Sequence, residues 1–308
     1  MTEHALEAVG LGRRYHRGWA LQDCSFRLPA GRMCALVGPN GAGKTTLLSL
    51  AADLLEPSAG TIRLFGHAPG SLTAHQYTAF LSQDKALYKN FRVDEILRMG
   101  RELNPSWDQA RAEGIVAEGN VPMNARISTL SGGQRTRVAF ALALGKRPRL
   151  LLLDEPMADL DPLVRRQMTD TLMIDAARHG TTVVMSSHMV AELEGACDYL
   201  VLINNGTIQL AGEIDAISDA HRLLSAPDAD QGRQAELAGH VVVEQSTTGN
   251  RLTALVRPQG PLPSSWEISA PTLEDLLLAH LRTTDAPALI TPSASVDAAG
   301  THLSEVTA

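Results

Sequence analysis

Apolar residues along this chain gather in short unbroken runs, and the stretches between them carry helical spacing. MCALVG (33–38), LLLLDEP (150–156) and TTVVMSSH (181–188) read as strands. No polar residue alternates through the apolar part of these runs, the mark of a strand covered on both faces. Leu163 to His179 has helical spacing and lies between the last two runs, which makes a strand–helix–strand unit of parallel type. KTTLLSLAADLL (44–55) is a helix following the first run, and GTIRLFG (60–66) is a further strand. The first thirty residues predict two strands, ALEAVGL and WALQDCSFRL, around a polar loop GRRYHRG (12–18).

From about Lys85 to Lys146 the texture becomes charged, Ala-rich and helical, broken at NPSW (104–107) and GNVP (119–122). YLVLINNGTIQLAG (199–212) places Asn205-Gly206 between two alternating runs and predicts a hairpin. After about Ser218 the pattern weakens. HVVVEQSTTGNRLTALVRP (240–258) predicts one more hairpin, and TLEDLLLAHLR (272–282) a short helix capped by Thr272 with Asp275 in its first turn. Thr283 to Ala308 holds no lysine, arginine or aromatic residue and reads as a disordered tail.

Composition narrows the classes. At 308 residues, with 44% apolar and 20% charged, this is ordinary globular composition with room for about two domains. A net charge of −7 with both signs dispersed disfavours nucleic acid as a partner. Cys24, Cys34 and Cys197 are far apart, without the spacing of a metal site, and read as buried apolar residues in a reducing compartment. The N-terminus lacks the apolar stretch of a signal peptide, and no run is long enough to cross a membrane, so a cytoplasmic location is expected. Lysine is rare: Lys44, Lys85, Lys89 and Lys146 are the lysines among twenty-seven basic residues, so a compact ammonium matters at position 44.

GPNGAGKTT, comprising Gly38, Pro39, Asn40, Gly41, Ala42, Gly43, Lys44, Thr45 and Thr46, fits the P-loop (Walker A) pattern between a strand and a helix. Gly41 and Gly43 let the backbone curl so that N–H groups and the helix's positive end face a phosphate. Lys44 would reach the outer phosphates and Thr45 would ligate Mg²⁺. The run LLLLDEP ends in two acids, which must open into a polar site because unpaired buried carboxylates are too costly. Asp154 would hold Mg²⁺ through water, and Glu155 would polarise an attacking water. TLSGGQR (129–135) has the composition of a phosphate-facing turn just before a helix.

In this order and spacing, Gly38–Thr46, LSGGQ at 130–134 and LLLLDEP resemble the ATP-binding-cassette (ABC) ATPase family over roughly Leu6 to Asp215. The resemblance implies an α/β fold: a P-loop NTPase (RecA-like) core, an antiparallel β subdomain and an inserted helical subdomain at about 85–146. The ATPase domain would cover 1–217, with a small α+β extension at 218–282. The family match implies that Tyr15 stacks on the nucleotide base, with GTP also usable, and that Gln83 touches Mg²⁺ and the water. His188 would hold the γ-phosphate. Ser131, Gly132, Gly133 and Gln134 would meet ATP bound by a partner in a head-to-tail dimer, with Asp159 and Asp161 of PMADLDP at the dimer contact; many members carry glycine where this chain has Asp159.

The implied function is an ATPase, using ATP and Mg²⁺, that dimerises with itself or a homologous subunit and powers a separate transmembrane permease. It would sit on the inner face of the cell membrane through that permease. AGEIDAI (211–217), PTLEDLLLAHL (271–281) and ELNPSWD (102–108) resemble bacterial exporter-type ATPases, so export of drugs or peptides is expected; the substrate is chosen by the membrane subunit. The alternative is a soluble ABC ATPase acting in repair or translation, though this chain has one cassette and no sustained heptads. A GTPase switch would need a base-reading N-K-x-D motif, and a P-loop kinase would leave LSGGQ and Gln83 without a role.

Overall fold

The computed structural model describes residues 3–158, 160–187, 195–227, 235–283 and 285–296. In chain order the first elements are β1 (His4–Tyr15), β2 (Gly18–Pro29), β3 (Met33–Val37), α1 (Lys44–Ala51) and β4 (Ala59–Arg63). β1 and β2 form an antiparallel hairpin with β4 on the far side of β1. The polar stretch 12–18 is not a loop as expected: β1 runs through Tyr15 and β2 resumes at Gly18, leaving only His16 and Arg17 in the turn. Arg13 and Arg14 are tolerated there because their guanidinium groups stack on Tyr15 and Trp19, 5.1 and 5.8 Å from the ring centres.

Next come α2 (Leu72–Tyr77) and β5 (Thr78–Leu81), then the helices α3 (Val93–Leu103), α4 (Gln109–Glu118) and α5 (Gly132–Gly145), β6 (Leu150–Leu153), α6 (Pro162–His179) and β7 (Thr182–Ser187). β8 (Tyr199–Asn204) and β9 (Thr207–Glu213) close a hairpin whose turn residues Asn205 and Gly206 have φ of 48° and 78°, the turn chemistry expected of Asn-Gly. β5, β6, β7, β3 and β8 lie parallel in the main sheet. Their residues alternate between two cores. Ala35, Val37, Leu151, Leu153 and Val183 join the layer of α3–α6, while Cys34, Leu36, Leu150, Leu152 and Val184 pack beneath α1 and the antiparallel hairpin. This two-sided burial is why the runs carry no polar alternation. The parallel arrangement puts Val37, Leu153 and Ser187 at the same edge of the sheet, so whatever follows these strands converges there.

The C-terminal part consists of α7 (Ile214–Asp219), β10 (Arg222–Pro227), β11 (Val241–Thr248), β12 (Arg251–Arg257), β13 (Glu267–Ser269), α8 (Leu273–Arg282) and β14 (Leu289–Ile290). β10–β13 make their own antiparallel sheet with a small core around Trp266. α7 spans the expected boundary at 217/218, and Leu276 and Leu277 of α8 join the main core. Thr272 and Asp275 form a reciprocal capping box at the start of α8.

The expectation of a disordered tail from Thr283 is corrected over 285–296. β14 adds to the edge of the main sheet, in parallel register with Leu210 and Ala211 of β9. Thr291 N–H donates to Ala211 O and Arg27 N–H donates to Ala294 O, both at 2.8 Å, and Ala294 is fully buried. An open sheet edge offers unpaired backbone groups to any short apolar segment, so ALI (288–290) needs no aromatic residue to dock. Residues 297–308 lie outside the described residues.

His221 and His280 bind the C-terminal part together by packing edge to face, with ring centres 5.7 Å apart and both residues fully buried. His221 Nδ1 lies 2.7 Å from Ile217 O. Burial, with the neighbouring His221 and Arg257, lowers the His280 pKa from 6.5 to about 4. The folded chain therefore keeps His280 neutral while the unfolded chain takes up a proton below about pH 6.5, so stability is lost as pH falls from 6.5 towards 4. Urea unfolding across this window should show the loss, on the order of 3 kcal/mol from this group, and His280→Leu should flatten the slope.

Candidate functional site

The loop after β3 is the first element of the site. Gly43 is the N-cap of α1 with φ of 112°, and a Cβ there would fall 2.5 Å from Ala20 O and 2.7 Å from Leu21 Cδ2. Position 43 is thus closed to side chains by β2. Gly41, with φ of 82° and open space around it, is required for conformation instead. Lys44 opens α1 at 5% exposure, and its Nζ donates to Gly38 O at 2.8 Å and Pro39 O at 3.3 Å. Nζ also stands 3.8 Å from Glu155 Oε1. Burial lowers the Lys44 pKa, and the charges of Glu155 and Asp154 oppose that shift.

β6 delivers the acids to the same edge. Asp154 is 2% exposed, and its Oδ1 accepts from Ser186 Oγ at 2.8 Å. The Glu155 N–H donates to the same Ser186 Oγ, also at 2.8 Å. Glu155 has φ of 43°, a left-handed backbone that costs energy in a non-glycine residue and turns its carboxylate towards Lys44. Ser186 at the end of β7 thus ties the two acids together. Sequence reasoning missed it; the available signal was a hydroxyl at the end of a buried valine-rich strand, where an unpaired polar group would be costly.

A cleft of about 340 Å³ is lined by Asn40, Gly41, Gly43, Lys44, Thr45 and Thr46 together with Ala20, Gln83 and Glu155. The structure therefore brings together the loop, Gln83 and Glu155 as expected from the sequence. An inward-curled loop at a helix start, with a buried ammonium, fits a polyphosphate tail. The Thr45 hydroxyl and the Asp154 carboxylate are the hard oxygen donors that suit Mg²⁺. Among the described residues no group of three or more His, Cys, Asp or Glu could cage a metal. An ion shared with substrate phosphates needs no such cage.

Other expected residues stand apart from this cleft. Tyr15 is at the hairpin tip, 44% exposed, with Arg13 over its ring, and does not line the cleft; Ala20 of the same hairpin does. Ser131 caps α5: its Oγ accepts from Gln134 N–H at 3.2 Å, and Gln134 Oε1 accepts from Ser131 N–H at 3.1 Å. Ser131, Gly132, Gly133 and Gln134 are absent from the lining of the P-loop cleft; Gly132 borders a separate groove of about 730 Å³ that Gln83 also reaches. Asp161 caps α6, accepting from Leu163 and Val164 N–H at 3.1 and 3.0 Å. His188 and Asp159 lie outside the described residues.

Comparison with known proteins agrees with this geometry. The family model described as ABC transporter matches residues 21–158. The chain is 39% identical over 213 residues to an aliphatic sulfonates import ATP-binding protein, SsuB 2, of Agrobacterium fabrum, covering 68% of this chain and 80% of that one. It is 33% identical over 299 residues to a sulfate/thiosulfate import ATP-binding protein, CysA 2, of Chromobacterium violaceum, covering 89% of this chain and 80% of the relative. Among solved structures, an ATP-binding subunit of an ABC transporter superposes with a TM-score of 0.64 at 28% identity, over 70% of this chain and 92% of the other. The dimeric cassette MJ0796 shares the fold, with a TM-score of 0.62 at 20% identity over 68% of this chain and 98% of that one.

Ser186→Ala should leave the fold intact but free the Glu155 backbone, lowering maximal turnover about tenfold while nucleotide affinity changes little. Gly43→Ala should instead weaken nucleotide binding and cost about 2 kcal/mol or more of stability, because the added methyl meets the Ala20 carbonyl as well as the Leu21 side chain, at a left-handed φ. Steady-state kinetics and denaturant titration separate the two.

Proposed function

The chain belongs to the ABC transporter family as an ATP-binding subunit and an ATPase, and we propose that it dimerises around ATP and powers a separate transmembrane permease. Among the described residues no helix is long and apolar enough to cross a membrane. The observation that carries the catalytic part is the convergence of Lys44, Thr45, Gln83 and Glu155 on one cleft.

In this reading Lys44 holds the outer phosphates and neutralises charge that develops as the β–γ bond breaks. Glu155 accepts a hydrogen bond from the attacking water and orients it, its position set by the left-handed backbone and by Ser186. Thr45, Asp154 and Gln83 would hold Mg²⁺, which when bound supplies positive charge to the phosphates. Ser131 and the start of α5 present a hydroxyl and helix N–H groups to the γ-phosphate held by the other protomer. Tyr15 remains the proposed base-stacking residue, and His188 the proposed γ-phosphate contact.

For direction, the relatives named above are import proteins. They weigh against the export expected from segments 102–108, 211–217 and 271–281, and uptake is the reading adopted. The soluble alternative gains no support from them. Uptake into, rather than extrusion from, vesicles carrying the co-purified permease is the test of direction.

Glu155→Gln should bind ATP normally and form a long-lived dimer, with hydrolysis reduced about 100-fold or more. Ser131→Arg should bind ATP as a monomer but neither dimerise nor turn over. Turnover like the parent's in Glu155→Gln, or ATP-driven dimers in Ser131→Arg, would sink this reading; sedimentation and phosphate release measure both.

A further inference from the structure

Arg137 is almost entirely buried on α5, one turn beyond Gly133, and only 4% of it is exposed. Its guanidinium bridges two other helices. Nη1 donates to Glu118 Oε2 at the end of α4 at 3.4 Å, and Nη2 donates to Gln167 Oε1 on α6 at 3.2 Å. Thr171 Oγ1, a further turn along α6, donates to the same Glu118 oxygen at 3.2 Å. Gly119 leaves the passage for the Arg137 side chain: a Cβ there would lie 2.1 Å from Arg137 Cδ. One buried cation therefore ties three helices, and its stem fills a space opened by a glycine.

The same two helices meet again one turn earlier. A Cβ on Gly133 would come within 3.5 Å of Val164 Cγ1 and 3.9 Å of Leu160 Cδ2. The turn that begins α5 and the turn that begins α6 are thus in contact, and both begin with side-chain caps, Ser131 and Asp161. From Gly133–Val164 to Arg137–Gln167 the two helices advance together, with the polar tie behind the close approach. Apolar contact at a glycine tolerates sliding; a planar guanidinium held at two ends does not.

We propose that Arg137 is a positioning residue, which locks the Ser131–Gln134 turn and the Leu160–Asp161 turn into one rigid surface for the partner protomer. This rests on the dimer reading above. Arg137 itself touches no nucleotide; it sets the relative height of the two turns that meet the other subunit. Losing it should affect formation of the ATP-bound dimer while sparing the P-loop cleft, to which Arg137 contributes nothing.

The test uses the full chain carrying Glu155→Gln, with and without Arg137→Met, Arg137→Lys or Gln167→Ala. Sedimentation with MgATP reads dimer affinity, and titration of a fluorescent ATP analogue under dilute conditions reads monomer binding. Arg137→Met should weaken the dimer about tenfold, with Gln167→Ala weaker in the same direction and Arg137→Lys between parent and Met. Monomer affinity should stay within about twofold in all of them. Ile96→Val in α3, a core truncation away from the tie, should lower the melting temperature without changing the dimer. Should Arg137→Met fail to fold, Gln167→Ala, exposed on α6, carries the comparison alone. A parent that dimerises while Arg137→Met and Gln167→Ala dimerise equally well, or an Ile96→Val variant that loses the dimer as they do, overturns the role of Arg137. A parent that does not dimerise on ATP overturns the dimer reading and this inference with it.

Discussion

A buried ammonium must be surrounded by oxygen, and the arrangement of this molecule's central sheet follows from meeting that requirement at Lys44. Two carbonyls of the loop and one carboxylate from a distant strand supply the oxygens. That combination is possible only because parallel strands deliver their ends to one edge, so that the loop after β3 and the acids after β6 meet. The carboxylate also depends on how its own backbone is held. Its backbone is left-handed and its N–H depends on a serine from β7, so three strands contribute to one ion pair. Anything that shifts one strand relative to the others along its axis would break the pair before it broke the core.

The surroundings show how this is kept in register. Both faces of the sheet are covered, one by α3–α6 and the other by α1 with the hairpin of β1 and β2. The hairpin approaches the loop so closely at Gly43 that no side chain fits between. Even the C-terminal part contributes: Asn204 on β8 donates from Nδ2 to the carbonyls of His280 and Leu281 on α8, and β14 closes the free edge of β9. The extension is therefore joined to the catalytic sheet by buried polar contacts and by strand pairing, which is a stiffer connection than a linker would give.

What could be read from sequence was what chemistry restricts to a few residue types. The P-loop needs glycine at 41 for conformation and at 43 for space, and a lysine at 44, so the pattern at 38–46 carried both structure and role. The buried strands were legible for a similar reason, since two-sided burial leaves only apolar residues. Ser186 was not legible: a hydroxyl at a strand end is compatible with many uses, and only the spatial approach of Asp154 and the Glu155 N–H gives it one. The ordered segment 285–296 was missed because its affinity lies in backbone groups of β9 that composition does not register. The polar residues 12–18 resemble a loop because arginine stacked on an aromatic ring looks the same in sequence as arginine in water. Tyr15 shows the converse: a residue type suited to stacking stands at an exposed tip, outside the cleft lining, with Arg13 over its ring.

The two capped turns at Ser131 and Asp161 complete the logic of the site. The P-loop cleft gathers phosphate-binding groups from one protomer, yet the capped turn at Ser131 that opens α5 does not line it. A helix N-terminus exerts its field only over its first turn, so a turn that does not line the cleft adds little to it, which fits the proposed contact with a partner's phosphate. For such a surface to act on a partner's phosphate, its parts must hold their relative positions without help from the ligand. A doubly bridged arginine behind the contact of α5 and α6 meets that condition, because its stem is buried and its planar guanidinium is held at two ends, by Glu118 of α4 and Gln167 of α6. The same physics thus appears twice in one chain: a buried cation fixes the cleft from within at Lys44, and a second fixes the outward-facing surface at Arg137.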